Sequence, residues 1–200
     1  MTDGQMGEPG ERRPTLADSA VLSQRSRGDV SVVAVDEVDT YSSSVAGILL
    51  EAIRTGLGIG PHRVLSLRDD RFLFTSNDIG FPFRSVATIG DEQVAVAIVF
   101  EAPPGSRWCS IDLEPGTVLV YGPGAEHTAN NLTGARVAFA FVDLEQLDDL
   151  AEQHQAPITI PPRGEVHQLA GSANTRAIAF GLSELTHADM SLPERVGRQR

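Results

Sequence analysis

Between residues 63 and 142 the chain is cut into short β-type runs by turn residues, and this punctuation constrains the fold more than any other feature. The runs are 63–67, 71–75, 81–89, 93–100, 107–113, 117–121 and 135–142. Asp69-Asp70, Gly90-Asp91, Pro103-Pro104-Gly105 and Glu114-Pro115-Gly116 separate several of them. A parallel pair needs a crossover of about a dozen residues or more, which these connections do not offer. Mainly antiparallel sheets follow, as a sandwich or a barrel.

Helical periods flank this region. From Ser44, apolar residues at Val45, Ile48, Leu49, Ala52 and Ile53 form an i, i+3, i+4, i+7, i+8 stripe, which predicts a helix ending in the Gly56–Gly60 stretch before Pro61. Leu144, Leu147, Leu150 and Ala151 share a second face, with Asp143 placed as N-cap and Gln146 three residues on. A last pattern, capped by Ser172, spans 173–187 through Ala177, Ile178, Gly181, Leu182 and Leu185; it suits packing on the chain's own sheet or meeting a twin. Ile178, Leu182 and Leu185 are the candidate dimerisation residues. Ile158-Thr159-Ile160, between prolines, reads as β-like.

Composition bounds the rest. The chain has 200 residues, enough for one full domain, and 41% of them are hydrophobic, enough for a sizeable core. Residues 1–29 have low apolar density and no period, and read as a mobile tail. Order is expected over 30–187, beginning with the β-branched run at Val30, and residues 188–200 read as a polar tail or linker. A net charge of -11 argues against contact with a phosphate backbone. The first 30 residues show no secretory pattern and no run of 18 apolar residues exists, so cytoplasmic residence without a membrane partner is expected. The single cysteine, Cys109, excludes an intramolecular disulfide and reads as a core thiol.

The densest chemistry lies in GTVLVYGPGAEHTANN, from Gly116 to Asn131. An apolar strand enters a Gly122-Pro123-Gly124 turn, and His127 opens a second extended segment. This order resembles the second motif of the cupin superfamily, whose double-stranded β-helix often carries a metal. The first cupin motif normally supplies two histidines one residue apart and a glutamate, yet this chain has no His-x-His, and residues 105–116 offer only Asp112 and Glu114. The second motif departs too, with one extra residue before Pro123 and Ala125 where glycine is usual. A transition metal wants three or four converging ligands, so no metal and no cofactor are expected. His127 reads either as a strand residue bonded to a backbone carbonyl or Glu126, or as a ligand's hydrogen-bond partner in the barrel mouth.

No catalytic constellation emerges. Gly56-x-Gly58-x-Gly60 follows a helical pattern and lacks the lysine of a phosphate loop, and the serines lack a nucleophile-elbow context. Trp108, Tyr121, His127, Arg107 and Phe141 remain as candidate ligand-binding residues, offering aromatic walls with a few polar groups.

Over residues 30–187, DEVDTYSSSVAGILLEAI, GPHRVLSLRDDRFLF, EPGTVLVYGPGAEHTANN and VDLEQLDDLAEQ together resemble the N-terminal effector and dimerisation domain of AraC/XylS-type transcription regulators. The resemblance implies a mainly β, cupin-like antiparallel sandwich or barrel with a short N-terminal helix and C-terminal amphipathic helices. It implies a small-molecule effector, a homodimer, and DNA binding by a separate C-terminal module that these residues do not include. A regulatory, non-enzymatic binding module is the expected function. A small cupin enzyme and a dimerisation partner of a full-length regulator are the alternatives.

Overall fold

In the computed structural model, residues 29–39, 41, 49–68, 72–155 and 157–169 are described. Their strands are β1 (Asp29–Val35), β2 (Leu49–Arg54), β3 (His62–Arg68), β4 (Phe72–Asp78), β5 (Phe83–Thr88), β6 (Gln93–Glu101), β7 (Arg107–Trp108), β8 (Ile111–Asp112), β9 (Val118–Tyr121), β10 (Glu126–Asn131), β11 (Arg136–Asp143) and β12 (Val166–Gln168). One helix, α1 (Leu144–His154), follows β11. Every strand pair is antiparallel, as the short connections require. A seven-stranded sheet in the order β1-β3-β4-β11-β6-β9-β12 faces a five-stranded sheet in the order β2-β5-β10-β7-β8. The result is an open sandwich, not the closed barrel that was the other expectation.

Period-2 alternation decides what faces the interior. In β5, Phe83, Ser85 and Ala87 are buried while Arg84, Val86 and Thr88 face water. β4 lies inside the larger sheet and is buried on both faces, with Leu73, Thr75 and Asn77 in one phase and Phe74 and Ser76 in the other. Between the sheets, one apolar cluster centres on Trp108, Leu119, Tyr121, Val137 and Phe141, and a second on Val35, Tyr41, Val64, Phe81 and Phe83.

The expected helix over 44–53 is corrected. Residues 49–54 form β2, paired with β5 from Leu49↔Thr88 to Arg54↔Phe83. A short apolar run satisfies both periods, and here sheet pairing wins: Leu50 and Ala52 pack on the second cluster while Ile53 points to solvent. The run 107–113 is two strands joined through Cys109 and Ser110, both at positive φ (47° and 67°), the two-residue hairpin geometry that matches strand twist. Residues 158–160 form no strand, and β12 takes that edge by pairing with β9. Asp143 occupies the N-cap of α1, but its side chain does not cap; its Oδ1 accepts a hydrogen bond from Gln93 Nε2 at 3.0 Å instead. The tail before Asp29, the Asp69-Asp70 turn, and the pattern over 173–187 with Ile178, Leu182 and Leu185 lie outside the described residues.

The Gly-rich segment after β2 is pinned by backbone contact. Ile59 N–H donates to Gly80 O at 2.9 Å, and a Cβ on Gly80 would stand 2.2 Å from Pro61 O and 2.4 Å from Gly60 O. Neither obstacle is a side chain that can swing away. Gly80→Ala is expected to cost about 2 to 3 kcal/mol of unfolding free energy, the range of overpacking strain, and a denaturant midpoint equal to wild type would refute this.

Candidate functional site

The site is built by two strands and the turn between them. β9 turns Leu119 and Tyr121 inward, Gly122-Pro123-Gly124 reverses the chain, and β10 turns His127, Ala129 and Asn131 inward. Gly122 is required by close approach, since a Cβ there would lie 2.3 Å from Pro162 O and 2.6 Å from Pro161 O. Gly124 sits at φ 67°, and Ala125 O accepts from Ile89 N–H, tying the turn to the strand beside it.

His127 is 6% exposed, and its Nδ1 lies 2.8 Å from Tyr121 Oη. Trp108, opposite Ala129 in the β7–β10 register, brings its indole edge-on to the imidazole at 5.0 Å between centroids. The Trp108 Nε1–H donates to Asn131 Oδ1 at 2.9 Å, and Phe139 packs 5.2 Å from the indole and 5.4 Å from the imidazole. Burial among these rings lowers the His127 pKa to about 4, so the imidazole is neutral at pH 7. Burial, followed by the neighbouring Cys109 thiol, pushes the Tyr121 phenol well above its ordinary range.

Against this cluster lies a cavity of about 30 Å³ between the sheets. Its polar wall is Tyr41, Thr75, Asn77, Ser85, His127 and Asn131, and its aromatic wall includes Trp108, Phe139 and Phe141. Thr75 Oγ1 is buried without a hydrogen-bond partner. Among the described residues, no Asp, Glu, Lys or Arg contributes to the lining.

Four of the five sequence candidates converge here. Trp108, His127 and Phe141 line the cavity, and Tyr121 stands behind His127 as its hydrogen-bond partner. Arg107 does not join them: it lies on the opposite phase of β7 from Trp108, its side chain 53% exposed and paired with Asp112 at 2.8 Å. The wall also holds Thr75, Asn77, Ser85, Asn131 and Phe139, which sequence reasoning missed. Asn131 and Phe139 share an inward phase with His127 and Phe141, and that alternation was the available signal; nothing local pointed to the other three.

The residues do not fit a cupin-type metal. His127 has Nδ1 engaged by Tyr121 and is walled by aromatic rings, the other polar groups are neutral hydroxyls and amides, and among the described residues no three His, Cys, Asp or Glu side chains converge. Asp112 is bound to Arg107 at the surface, and the Cys109 thiol meets Glu126 O at 3.6 Å.

No family model matches the chain, and no curated protein matches it. Among solved structures, the AraC-like transcriptional activator CuxR superposes with a TM-score of 0.53 at 11% identity, over 82% of this chain and 63% of that one. This chain therefore spans less than two thirds of that protein's length. AerE from Microcystis aeruginosa matches at a TM-score of 0.32 and 11% identity, over 60% of this chain and 52% of that one. An oxalate decarboxylase matches at 0.32 and 11%, over 99% and 56%; neither of these two carries weight. The likeness at these identities is one of fold: a mainly β, antiparallel, cupin-like sandwich whose sheets do not close into a barrel.

Proposed function

We propose that this chain is a regulatory domain of the AraC type that binds a small effector between its sheets and self-associates, without catalysis and without contacting DNA itself. The carrying observation is the cavity at His127, lined by a neutral imidazole, three hydroxyls and two amides beside aromatic walls. Such a lining orients a ligand by hydrogen bonds and offers no nucleophile with an adjacent base. Because no charged side chain among the described residues lines it, a charged ligand would be buried unpaired at great cost. The effector is therefore neutral and polar. The space admits about two water-sized groups, so an occupant of more than a few heavy atoms has to displace a wall.

Thermal-shift screening of small neutral metabolites tests the reading. A ligand at a hundred times its dissociation constant is expected to stabilise the fold by about 2.7 kcal/mol, and His127→Ala is expected to abolish that shift. An unchanged shift in the variant removes His127 from the effector site. The competing reading is a small cupin enzyme, and stoichiometric iron, zinc or manganese in purified protein would favour it and overturn ours. Co-purification with a full-length regulator would favour the dimerisation-partner reading.

A further inference from the structure

The segment between β2 and β3 presents apolar side chains to solvent on a rigid support. Leu57 is 94% exposed and Ile59 is 87% exposed, while the glycine between them faces inward: a Cβ on Gly58 would stand 2.3 Å from Gly80 O and 2.5 Å from Phe81 Cβ. Thr55 N–H donates to Pro82 O at 3.0 Å and Ile59 N–H to Gly80 O at 2.9 Å, so the segment is laced to the 80–82 backbone at both ends. Two large aliphatic groups are thus held outward, one residue apart, as an apolar spot on the surface.

Beside this ridge runs an open cleft of about 410 Å³, lined by Ile59, Pro61, Arg63, Asp78, Arg136 and Glu101 among others. The charged residues come from neighbouring strands in register, Arg63↔Asp78 on β3 and β4, Asp78↔Arg136 on β4 and β11, and Arg136↔Glu101 on β11 and β6. Across the sheet their signs read plus, minus, plus, minus. Arg136 binds Glu101 at 3.1 Å, but Arg63 and Asp78 make no ion pair among the described residues, and the Arg136 Nε is buried without a partner.

An alternating row of this kind is complementary to itself under a two-fold rotation, which sets Arg63 against a second copy's Glu101 and Asp78 against its Arg136. We propose that this ridge and cleft form an isologous interface with a second copy of the chain. The inference supplies a surface for the self-association proposed above and rests on that part of the reading alone.

The full chain, in light scattering after size exclusion and in sedimentation, is expected to show twice its 21.4 kDa mass. Leu57→Asp with Ile59→Asp is expected to yield a monomer that keeps the effector-induced shift and whose thermal midpoint, unlike that of wild type, does not depend on protein concentration. Arg63→Glu alone and Glu101→Arg alone place like charges together twice per dimer, and each is expected to weaken association on the order of 10-fold or more. The double variant Arg63→Glu/Glu101→Arg restores opposite signs and is expected to return to within about 3-fold of wild type. A merely structural role for either residue predicts no such rescue. A dimer indifferent to both sets of changes overturns this surface while leaving self-association intact. A wild-type monomer at high concentration overturns both, and leaves effector binding to be judged by the thermal shift.

Discussion

Acidification from pH 7 to pH 4 is expected to remove about 3 kcal/mol of folding free energy for each of two buried histidines, His62 and His127, about 6 kcal/mol together. Both pKa values are lowered from 6.5 to about 4 by burial. The unfolded chain therefore binds protons below about pH 6.5 that the folded chain refuses until about pH 4. Stability is fully present above the unfolded value and falls as pH drops through this window. A loss of that size rivals the whole stability of an ordinary domain, so acid unfolding is expected within it.

The groups facing the two imidazoles offer no relief. His62 is fully buried among Tyr41, Phe81 and Phe83, with ring centroids 4.6 to 5.1 Å away and both ring nitrogens without a hydrogen-bond partner among the described residues. Burial raises the Tyr41 phenol, which stays neutral, and Arg54 lies over the Phe81 ring at 4.5 Å, adding positive charge nearby. Tyr121, Trp108 and Phe139 surround His127. Among the described residues, no carboxylate is hydrogen-bonded or ion-paired to either imidazole. Because an unpartnered imidazole is costly even when neutral, His62→Leu is expected to match or exceed wild-type stability at pH 7 and to halve the acid loss. Urea unfolding followed by the fluorescence of the single tryptophan checks both statements. A midpoint constant between pH 7 and 4 would falsify them.

Trp108→Ala is expected to destabilise the fold by about 4 kcal/mol. The indole is among the largest fully buried side chains, and it joins His127, Phe139 and the β10 strand in one cluster. Its removal also leaves Asn131 Oδ1 without its donor, at a further cost of about 1 kcal/mol or more. Trp108→Phe keeps the ring contacts and loses that donor, so its expected cost is smaller, about 2 kcal/mol. Circular dichroism in denaturant measures both, since neither variant retains the fluorophore. Equal costs for the two substitutions would show that the hydrogen bond, not the packing, dominates at this position.

Strand phase was legible wherever alternation was uninterrupted. The runs at 81–89, 93–100 and 135–142 became β5, β6 and β11 with small shifts at their ends, and α1 appeared on the face marked by Leu144, Leu147 and Leu150. The turn at Gly122-Pro123-Gly124 was also legible, and Trp108, His127 and Phe141 were candidates, but the sequence left open whether His127 faces the interior. The helix over 44–53 misled because Leu49, Ala52 and Ile53 fit a helical stripe as well as a strand. β12 was missed because a three-residue strand carries no period of its own.

By itself, the sequence determined that this chain is an antiparallel β protein and where most of its strands reverse. These are local properties, written in two-residue alternation and in glycines and prolines whose dihedrals decide turns. Only the tertiary structure decided that residues 49–54 pair with β5, that Thr75 and Asn77 face His127 across the sandwich, that Arg107 leaves the site for Asp112, and that His62 lies sealed among aromatic rings. Each of these depends on which distant strand lies opposite. A strand's pattern states which face it buries but not what it is buried against.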